Sequence, residues 1–273
     1  MLLRGAVAVL TGAGRRNGVG SATARLLAQE GCNVLINCVK NKTQAESVIQ
    51  DCKDFGVEAD LFMGDVTQQD VCHGMAEHAK SCWGRTDVVV NCVGATKGAP
   101  YERLDKLSAE DFAKLFATNV TGPYLVAQAF QSLLRKSGDG VFINISSAAG
   151  MTGKGSSIAY AAAKGGENTL TLALAQALSP EVRVNAICPS FVDSSWWEEL
   201  YEGKRENYGA LVKSMQESNL LRRVLKPSDV AHTVMSVIHN PIMTGELIRL
   251  DAGAHVGKAN PREEEGNSPS LKR

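Results

Sequence analysis

The sequence predicts an α/β fold in which a seven-stranded parallel sheet carries helices on both faces. Short apolar runs alternate with longer amphipathic segments along the 273 residues. Apolar runs of this kind are typical of strands that are buried on both faces, and helical crossovers join such strands in parallel. The strands are predicted at Ala6–Leu10, Asn33–Asn37, Glu58–Met63, Asp87–Asn91, Gly140–Ile145, Val182–Ile187 and Leu247–Leu250. Right-handed crossovers then give a doubly wound sheet, which binds ligands at the carboxyl ends of its strands.

The segments between these strands have the pattern of helices. Helices are predicted at Ser21–Glu30, Thr43–Phe55, Gln68–Trp83, Ser108–Lys136, Ser157–Leu178 and Pro227–His239. Neither a repeat nor a linker divides the chain, so we expect one domain over residues 1–257. Residues 258–273 are polar, charged and contain proline, which predicts a disordered tail.

Composition excludes several classes of protein. Lysine and arginine number 29 and acidic residues also number 29, so we expect neither a nucleic-acid partner nor binding to an anionic membrane. The apolar runs are too short to span a bilayer, and the opening segment lacks the cleavage site of a signal peptide. Seven cysteines without a CxxC pair are typical of reduced thiols in a cytoplasmic protein. The five histidines lack a metal-ligand spacing, so no metal site is expected.

A glycine-rich loop, Thr11–Gly20, follows the first predicted strand and leads into the first predicted helix. This placement suits a dinucleotide, because glycines let the backbone approach the pyrophosphate and the helix N-terminus faces it. The candidate cofactor residues of the loop are Gly12, Arg15, Arg16, Asn17, Gly18, Val19 and Gly20. An ordinary turn between strand and helix is the alternative.

Charges near this loop favour NADP over NAD. No acidic residue occurs between Glu30 and Glu46, where a carboxylate would bind the ribose hydroxyls of NAD. The same region and the loop carry four cations that suit a 2′-phosphate: Arg15, Arg16, Lys40 and Lys42. If these charges are only solvated surface groups, NAD remains possible.

Tyr160 and Lys164 are spaced for acid–base chemistry. Residues four apart on a helix lie about 6 Å from each other on one face. At an effective dielectric constant near 20, the lysine would favour the ionised phenol by roughly 3 kcal/mol, or about two pKa units. That shift would bring the Tyr160 hydroxyl within reach of proton transfer near neutral pH. The alternative is an unrelated half-buried tyrosine and a surface lysine.

With these motifs, the chain resembles the short-chain dehydrogenase/reductase family from Ala6 to about Gly257, and in particular its 3-oxoacyl-[acyl-carrier-protein] reductase members. The resemblance implies a single Rossmann-type domain. It implies that Asn119, Ser147, Tyr160 and Lys164 are catalytic; Ser146 competes with Ser147, but the thirteen-residue step to Tyr160 favours Ser147. Tyr160, Lys164, Asp65, Val66, Asn91, Val93, Gly94, Pro189, Val192 and Ser194 would contact the cofactor.

The chain departs from the family pattern in three places. The glycine loop holds two residues more than TGxxxGxG, Asn91–Gly94 has Cys and Val inside the family's NNAG, and Pro189–Ser194 has Ser190 and Ser194 in PGxxxT.

The resemblance also implies the reaction. An NADP(H)-dependent oxidoreductase would transfer a hydride between nicotinamide and a ketone or secondary alcohol, with a 3-oxoacyl thioester as one candidate. Ser147 and Tyr160 would donate to the carbonyl oxygen, Lys164 would bind the nicotinamide ribose, and Asn119 would hold a water. The alternatives are an NAD-dependent dehydrogenase of a sugar, polyol or steroid-like alcohol, and a nucleotide-binding protein without turnover.

Substrate specificity is expected in Ala95–Tyr101, in Gly150–Ser156 and in an insertion from Asp193 to Arg223. Its aromatic start, with Trp196, Trp197, Leu200 and Tyr201, would roof an apolar ligand, or would staple a lid helix or a subunit contact. The family resemblance implies a homotetramer or homodimer, and the small-residue face Thr171–Ala177 suits close helix contact. Ordinary packing within one chain explains that face equally well.

Overall fold

The computed structural model describes residues 1–200 and 205–258, with the side chains of 198–200 and 205 left out. Within this part of the chain, seven strands form one sheet in the order β3-β2-β1-β4-β5-β6-β7, and every neighbouring pair is parallel. The strands are β1 Val7–Thr11, β2 Asn33–Cys38, β3 Ala59–Met63, β4 Val88–Asn91, β5 Gly140–Ile145, β6 Val182–Pro189 and β7 Leu247–Leu250. The predicted doubly wound parallel fold is therefore confirmed.

Helices connect the strands and cover both faces of the sheet. They are α1 Val19–Gln29, α2 Lys42–Lys53, α3 Gln69–Trp83, α4 Ala109–Phe116, α5 Gly122–Ser137, α6 Ala149–Thr152, α7 Ile158–Leu178, α8 Ser195–Leu200, α9 Arg205–Ser218 and α10 Pro227–His239. A 3₁₀ turn at Leu104–Lys106 precedes α4, and a π-helical turn at Ala117–Thr121 joins α4 to α5. Among the described residues, none of these helices combines the length and apolarity that a membrane crossing requires.

The core has two halves because successive strand residues point to opposite faces. Leu10 of β1 belongs to the cluster with Leu27 of α1 and Val234 of α10. Its neighbour Val9 belongs to the cluster with Phe130 of α5. Strands that are apolar on both faces therefore bind one helical layer on each side.

The prediction of one uninterrupted helix over Ser108–Lys136 was wrong in its middle. The described structure has α4, the π-helical turn and α5 in place of this helix. Asn119 lies in the turn, and its Nδ2 donates to the carbonyl of Leu115 at 2.8 Å. An α-helix would bond that carbonyl to the backbone amide of Asn119, so the side chain competes with the helical ladder and accompanies its local widening.

Arg183 connects α10, the last helix, to the sheet through hydrogen bonds. This β6 side chain is buried, and its guanidinium donates to carbonyls at the C-terminal end of α10, including Asn240 at 2.8 Å and Ile238 at 2.9 Å. Carbonyls at a helix C-terminus lack backbone partners and favour a cation. Arg183 therefore stabilises the packing of α10 and β7 behind the carboxyl edge of the sheet.

We expect Arg183→Met to lower the free energy of unfolding by about 2–4 kcal/mol, because several buried carbonyls lose a charged donor. Denaturant or thermal unfolding followed by circular dichroism measures the loss. Arg135→Met is the matched control, since Arg135 also donates to a helix-end carbonyl, that of Ala177, but its side chain is 37% exposed. Equal losses in the two variants would contradict the assigned role of Arg183.

Candidate active site

A cleft of about 570 Å³ opens at the carboxyl edge of the sheet. It runs from the glycine loop across the ends of β2, β4 and β5 to α7 and the start of the insertion. The predicted site residues that line it are Gly12, Arg15, Gly18, Val19, Gly20, Asp65, Val66, Val93, Gly94, Tyr160, Lys164, Val192 and Ser194. Arg16, Asn17, Asn91, Asn119, Ser147 and Pro189 lie near these residues without lining the cleft. A cleft at the point where strand order reverses is where such sheets bind ligands.

The glycine loop packs too closely for side chains. A Cβ atom on Gly12, where φ is +63°, would lie 3.0 Å from the backbone of Cys92, and one on Gly20 would lie 2.7 Å from Ala13. These contacts hold the loop against the end of β4 and against the start of α1. The first turn of α1 carries no acidic residue, so its amide groups face the cleft without a competing anion.

The four predicted cations divide into two pairs. Arg15 and Lys40 line the cleft. Arg16 turns towards α2, where it contacts Ser47 and lies 3.7 Å from Asp51. Lys42 lies 3.7 Å from Glu46 on the surface of the same helix. The positive charge at the end of β2 therefore comes from Arg15 and Lys40.

Two cleft residues have buried oxygens with unused bonding capacity. Asn37 is the next-to-last residue of β2, and Ser190 follows β6. Among the described residues, Asn37 Oδ1 and Ser190 Oγ find no hydrogen-bond partner. Such groups are costly to leave buried and unpaired, so both are suited to bond a ligand in the cleft.

Tyr160 and Lys164 meet at the inner wall of the cleft. Ser157 caps α7, its Oγ accepting from the amide of Tyr160 at 3.2 Å, and this cap fixes Tyr160 in the first turn. Lys164 is buried, and its Nζ donates to the carbonyl of Ile145, at the end of β5, at 3.1 Å. The helix thereby places a phenol and an ammonium group beside the strand ends.

Glu167 is a site residue that the sequence analysis missed. Its Oε2 accepts from Lys164 Nζ at 2.6 Å, and both side chains are buried. Burial lowers the pKa of Lys164, but Glu167 and then Tyr160 oppose this and leave the pKa above its usual value. Burial raises the pKa of Glu167, against the opposing effect of Lys164. The available signal was that Lys164 and Glu167 are the two charged residues of α7 and stand three positions apart.

Asn119 holds the loop after β4. Its Oδ1 accepts from the amide of Ala95 at 3.1 Å and its Nδ2 donates to the carbonyl of Ala95 at 3.0 Å. A Cβ atom on Gly94 would lie 3.4 Å from Asn119 Oδ1 and 3.7 Å from Lys164 Nζ. Asn119 and Lys164 therefore approach Gly94 together, with Asn119 behind the cleft wall.

Ser146 and Ser147 occupy different environments at the end of β5. Ser146 is buried and lines the cleft, and its Oγ donates to Asn168 Oδ1 at 2.7 Å. Ser147 is half-buried, and its Oγ accepts from the amide of Ala149 at 3.1 Å. The Ser147 hydroxyl donates to the carbonyl of Pro189 at 3.5 Å, a longer hydrogen bond than that of Ser146, so Ser147 is the freer of the two to bond a ligand.

Asn91 belongs to a buried polar chain beneath the cleft. It accepts from Thr11 Oγ1 at 2.6 Å and donates to Asn144 Oδ1 at 3.2 Å. Asn144 in turn donates to Thr171 Oγ1 of α7 at 2.9 Å. This chain ties the ends of β1, β4 and β5 to α7, so that Asn91 supports the site from below.

Aromatic side chains cover the end of the cleft where the insertion begins. Trp196 and Trp197 line it, with ring centroids 5.2 Å apart, and the Trp196 ring lies 6.4 Å from that of Tyr160. Phe191 lies 5.3 Å from Trp197 on the other side. Tyr201, which the sequence analysis also named, lies outside the described residues, and so do residues 259–273 of the predicted tail.

The absence of a metal site, expected from histidine spacing, stays a prediction. Asp60, His78 and Cys82 bring three donor atoms within 4.8 Å of one another at the outer edge of the sheet, and none of the three lines the cleft. His78 Nε2 lies 2.8 Å from Asp60 Oδ2, a contact that joins α3 to β3.

Known proteins with similar sequences and folds cover nearly the whole chain. The family profile described as "Enoyl-(Acyl carrier protein) reductase" matches residues 12–255. A 3-oxoacyl-[acyl-carrier-protein] reductase of Thermotoga maritima is 30% identical over 93% of this chain and 99% of its own.

Two solved structures extend this similarity to the fold. A Burkholderia xenovorans protein, described as a short-chain dehydrogenase/reductase, is 35% identical with a TM-score of 0.85 and covers 92% of this chain and 98% of its own. An NAD⁺-bound xylitol dehydrogenase is 26% identical with a TM-score of 0.83, over 93% of this chain and 100% of its own. With this coverage, and with the fold and cleft described above, the chain belongs to the short-chain dehydrogenase/reductase family of oxidoreductases, which act on CH–OH groups.

Proposed function

We propose that the protein is an NADP(H)-dependent oxidoreductase that reduces a ketone to a secondary alcohol through Asn119, Ser147, Tyr160 and Lys164. The single observation that carries this proposal is that a glycine-rich loop and the Tyr160–Lys164 pair line one cleft. The loop suits a pyrophosphate, and the pair suits proton transfer to a carbonyl oxygen. Hydride and proton can then reach the same carbonyl group.

The cleft residues fit a dinucleotide. The close packing at Gly12 and Gly20 would leave room for a pyrophosphate over the start of α1, and Asp65 and Val66, which line the cleft, would lie at the adenosine end. Val93 and Gly94 would lie along the middle, and Val192 and Ser194 at the nicotinamide end, where Ser190 Oγ offers an unused bond. When bound, the nicotinamide supplies or accepts the hydride.

The protein side chains would handle the proton and the developing charge. Tyr160 would donate its hydroxyl proton to the carbonyl oxygen, and Ser147 would donate a second hydrogen bond to that oxygen. Lys164 would hold the nicotinamide ribose from the inner wall. Asn119 orients the Ala95 segment beside Lys164, and in this proposal it also holds a water that links Lys164 to solvent.

The substrate end favours an apolar ketone. Trp196 and Trp197 stand opposite Tyr160 and would exclude water from the reacting carbonyl. A 3-oxoacyl thioester is the leading candidate, since relatives that cover nearly all of the chain are 3-oxoacyl-[acyl-carrier-protein] reductases. The second candidate is NAD-dependent oxidation of a polyol, which the similarity to xylitol dehydrogenase favours.

Self-association and location are part of the same proposal. Phe116, Tyr124 and Leu172 are exposed apolar side chains on or beside α4, α5 and α7, the helices that would pair in a homotetramer or homodimer. We propose that the enzyme acts in the cytoplasm, as expected from its reduced cysteines.

For Tyr160→Phe, we expect the rate of ketone reduction to fall by about a hundredfold or more, because the proton donor is lost. Affinity for NADPH should stay within a few-fold of the wild-type value. Loss of NADPH absorbance across a panel of ketones and thioesters gives the rate, and NADPH fluorescence gives the affinity.

Tyr124→Phe is the matched control, since it removes a hydroxyl from α5 outside the cleft but keeps the ring that the proposed subunit contact would use, and should leave both quantities unchanged. Wild-type turnover in the Tyr160→Phe variant would remove Tyr160 from the reaction. Turnover by neither protein on any substrate would favour a nucleotide-binding protein without catalysis.

We expect Lys40→Ala to weaken NADPH binding by roughly tenfold and to leave NADH binding nearly unchanged, because one charged contact with the 2′-phosphate is lost. Titration of intrinsic fluorescence with each nucleotide measures both affinities. Lys42→Ala removes an exposed lysine two residues away that pairs with Glu46, and should change neither. Tighter binding of NADH than of NADPH by the unmodified protein would instead support the NAD-dependent candidate.

A further inference from the structure

Among the described residues, the Glu167 carboxylate is the one charged group that contacts Lys164, and the proposed reaction does not use it. It is fully buried, and its Oε2 lies 2.6 Å from Lys164 Nζ. Its second oxygen, Oε1, has no hydrogen-bond partner among the described residues. The rest of α7 is uncharged along its 21 residues. Burying a carboxylate costs free energy unless an opposite charge pairs with it. The main partner of the Glu167 charge is therefore the ammonium that it contacts.

In the part of the chain that the structure describes, no other charged side chain forms an ion pair with Lys164 or Glu167, and Arg183 of β6, which packs against α7, donates to carbonyls at the end of α10. The titratable neighbours are the thiols of Cys92 after β4 and Cys188 on β6, where burial raises the pKa to about 12 and about 11. The π-helical turn and α6, which pack against α7, carry no ionisable side chain. On α4 the charged residues are Glu110, Asp111 and Lys114, and none of the three is buried. On α5, Arg135 and Lys136 lie in the last turn.

The pair therefore presents Tyr160 with almost no net charge. A lone ammonium near the phenol would favour its ionised form by roughly one to three pH units. With Glu167 in contact, one proton is shared between a carboxylate and an amine, and the net charge is zero whichever atom holds it. Most of the attraction that a lone ammonium would exert on an ionised Tyr160 is thus cancelled.

We propose that Glu167 is a positioning residue that balances the charge of Lys164 and so keeps Tyr160 protonated, the form that donates to a ketone, to higher pH than Lys164 alone would allow. The proposal rests on the proposed function in taking Tyr160 as the proton donor. It deepens that function by widening the pH range in which Tyr160 can serve ketone reduction, because a protonated phenol serves reduction and an ionised phenol serves alcohol oxidation.

The test is an absorbance titration of the Tyr160 phenolate in the protein without substrate or nucleotide. The spectrum of the same variant carrying Tyr160→Phe is subtracted from that of each variant. The subtraction removes the absorbance of the other four tyrosines of the chain. We expect Glu167→Gln to lower the midpoint of ionisation by about one pH unit, since the ammonium is no longer balanced. Lys164→Gln should raise the midpoint by a similar amount.

The double variant Lys164→Gln, Glu167→Gln gives the sharpest comparison. It removes both charges and has the same net charge as the pair, so its midpoint should lie within a few tenths of a pH unit of the wild-type value. Neutral replacement of a whole buried pair is also better tolerated than loss of one partner, so this protein should fold even if Glu167→Gln does not. A midpoint raised in the double variant by as much as in Lys164→Gln would overturn the proposal.

A purely structural role for Glu167 predicts a different outcome. Thermal unfolding would then shift in Glu167→Gln while the phenolate midpoint stayed in place, and this result would also overturn the proposal. With an active substrate, the pH profile of alcohol oxidation in Glu167→Gln should move down by the same amount as the titration. Because the titration needs no turnover, a shifted midpoint with no activity would reject the proposed function and leave the role of Glu167 standing.

Discussion

The reversal of strand order between β1 and β4 is the constraint on which the rest of the molecule depends. After β1 the chain enters α1 on one face of the sheet, and after β4 it enters α4 and α5, of which α5 packs on the other face. Two neighbouring strands that send their connections apart leave a crevice at their carboxyl ends. The glycine loop, the Gly94 segment and the start of α7 all border that crevice. The cleft thus follows from topology, and the side chains only decide what it holds.

The buried contact between Lys164 and Glu167 is the most costly interaction at the cleft. Two charges have been removed from water, and their mutual attraction offsets this cost only when the remaining polar atoms are also paired. Lys164 has a second acceptor in the carbonyl of Ile145, whereas Glu167 Oε1 has none among the described residues. Stability alone does not favour this buried pair, so its position beside Tyr160 indicates a role in the chemistry of the cleft.

The fold followed from the sequence more closely than the site did. Apolar runs such as Val7–Thr11 can only be buried on two faces, so strand positions were accurate to within a few residues. The break between α4 and α5 was missed because it depends on the side chain of Asn119 bonding its own helix, a contact that periodicity does not express. The orientation of Arg16 towards Asp51 instead of the cleft depends on a helix that the loop sequence does not include.

The Tyr160–Lys164 spacing gave the two residues but not their electrostatics. A spacing rule treats the lysine as an isolated charge on a helix surface. The structure buries that lysine and adds a carboxylate three residues later, and neither fact follows from a five-residue pattern. The sequence shows that Glu167 lies near Lys164, but only burial, which lowers the local dielectric constant, makes the attraction between the two charges strong.

The enlarged glycine loop also contacts the start of α8, in the insertion. The carbonyl of Asn17 accepts from both the amide and the hydroxyl of Ser195, each at 3.1 Å, at the point where α8 begins. The enlarged loop near the N-terminus therefore holds the start of α8, although α8 lies nearly two hundred positions later in the chain. If the segment with Trp196 and Trp197 were transferred to a relative with a shorter glycine loop, α8 would lose its contact with the Asn17 carbonyl. The loop and this segment therefore have to be exchanged together.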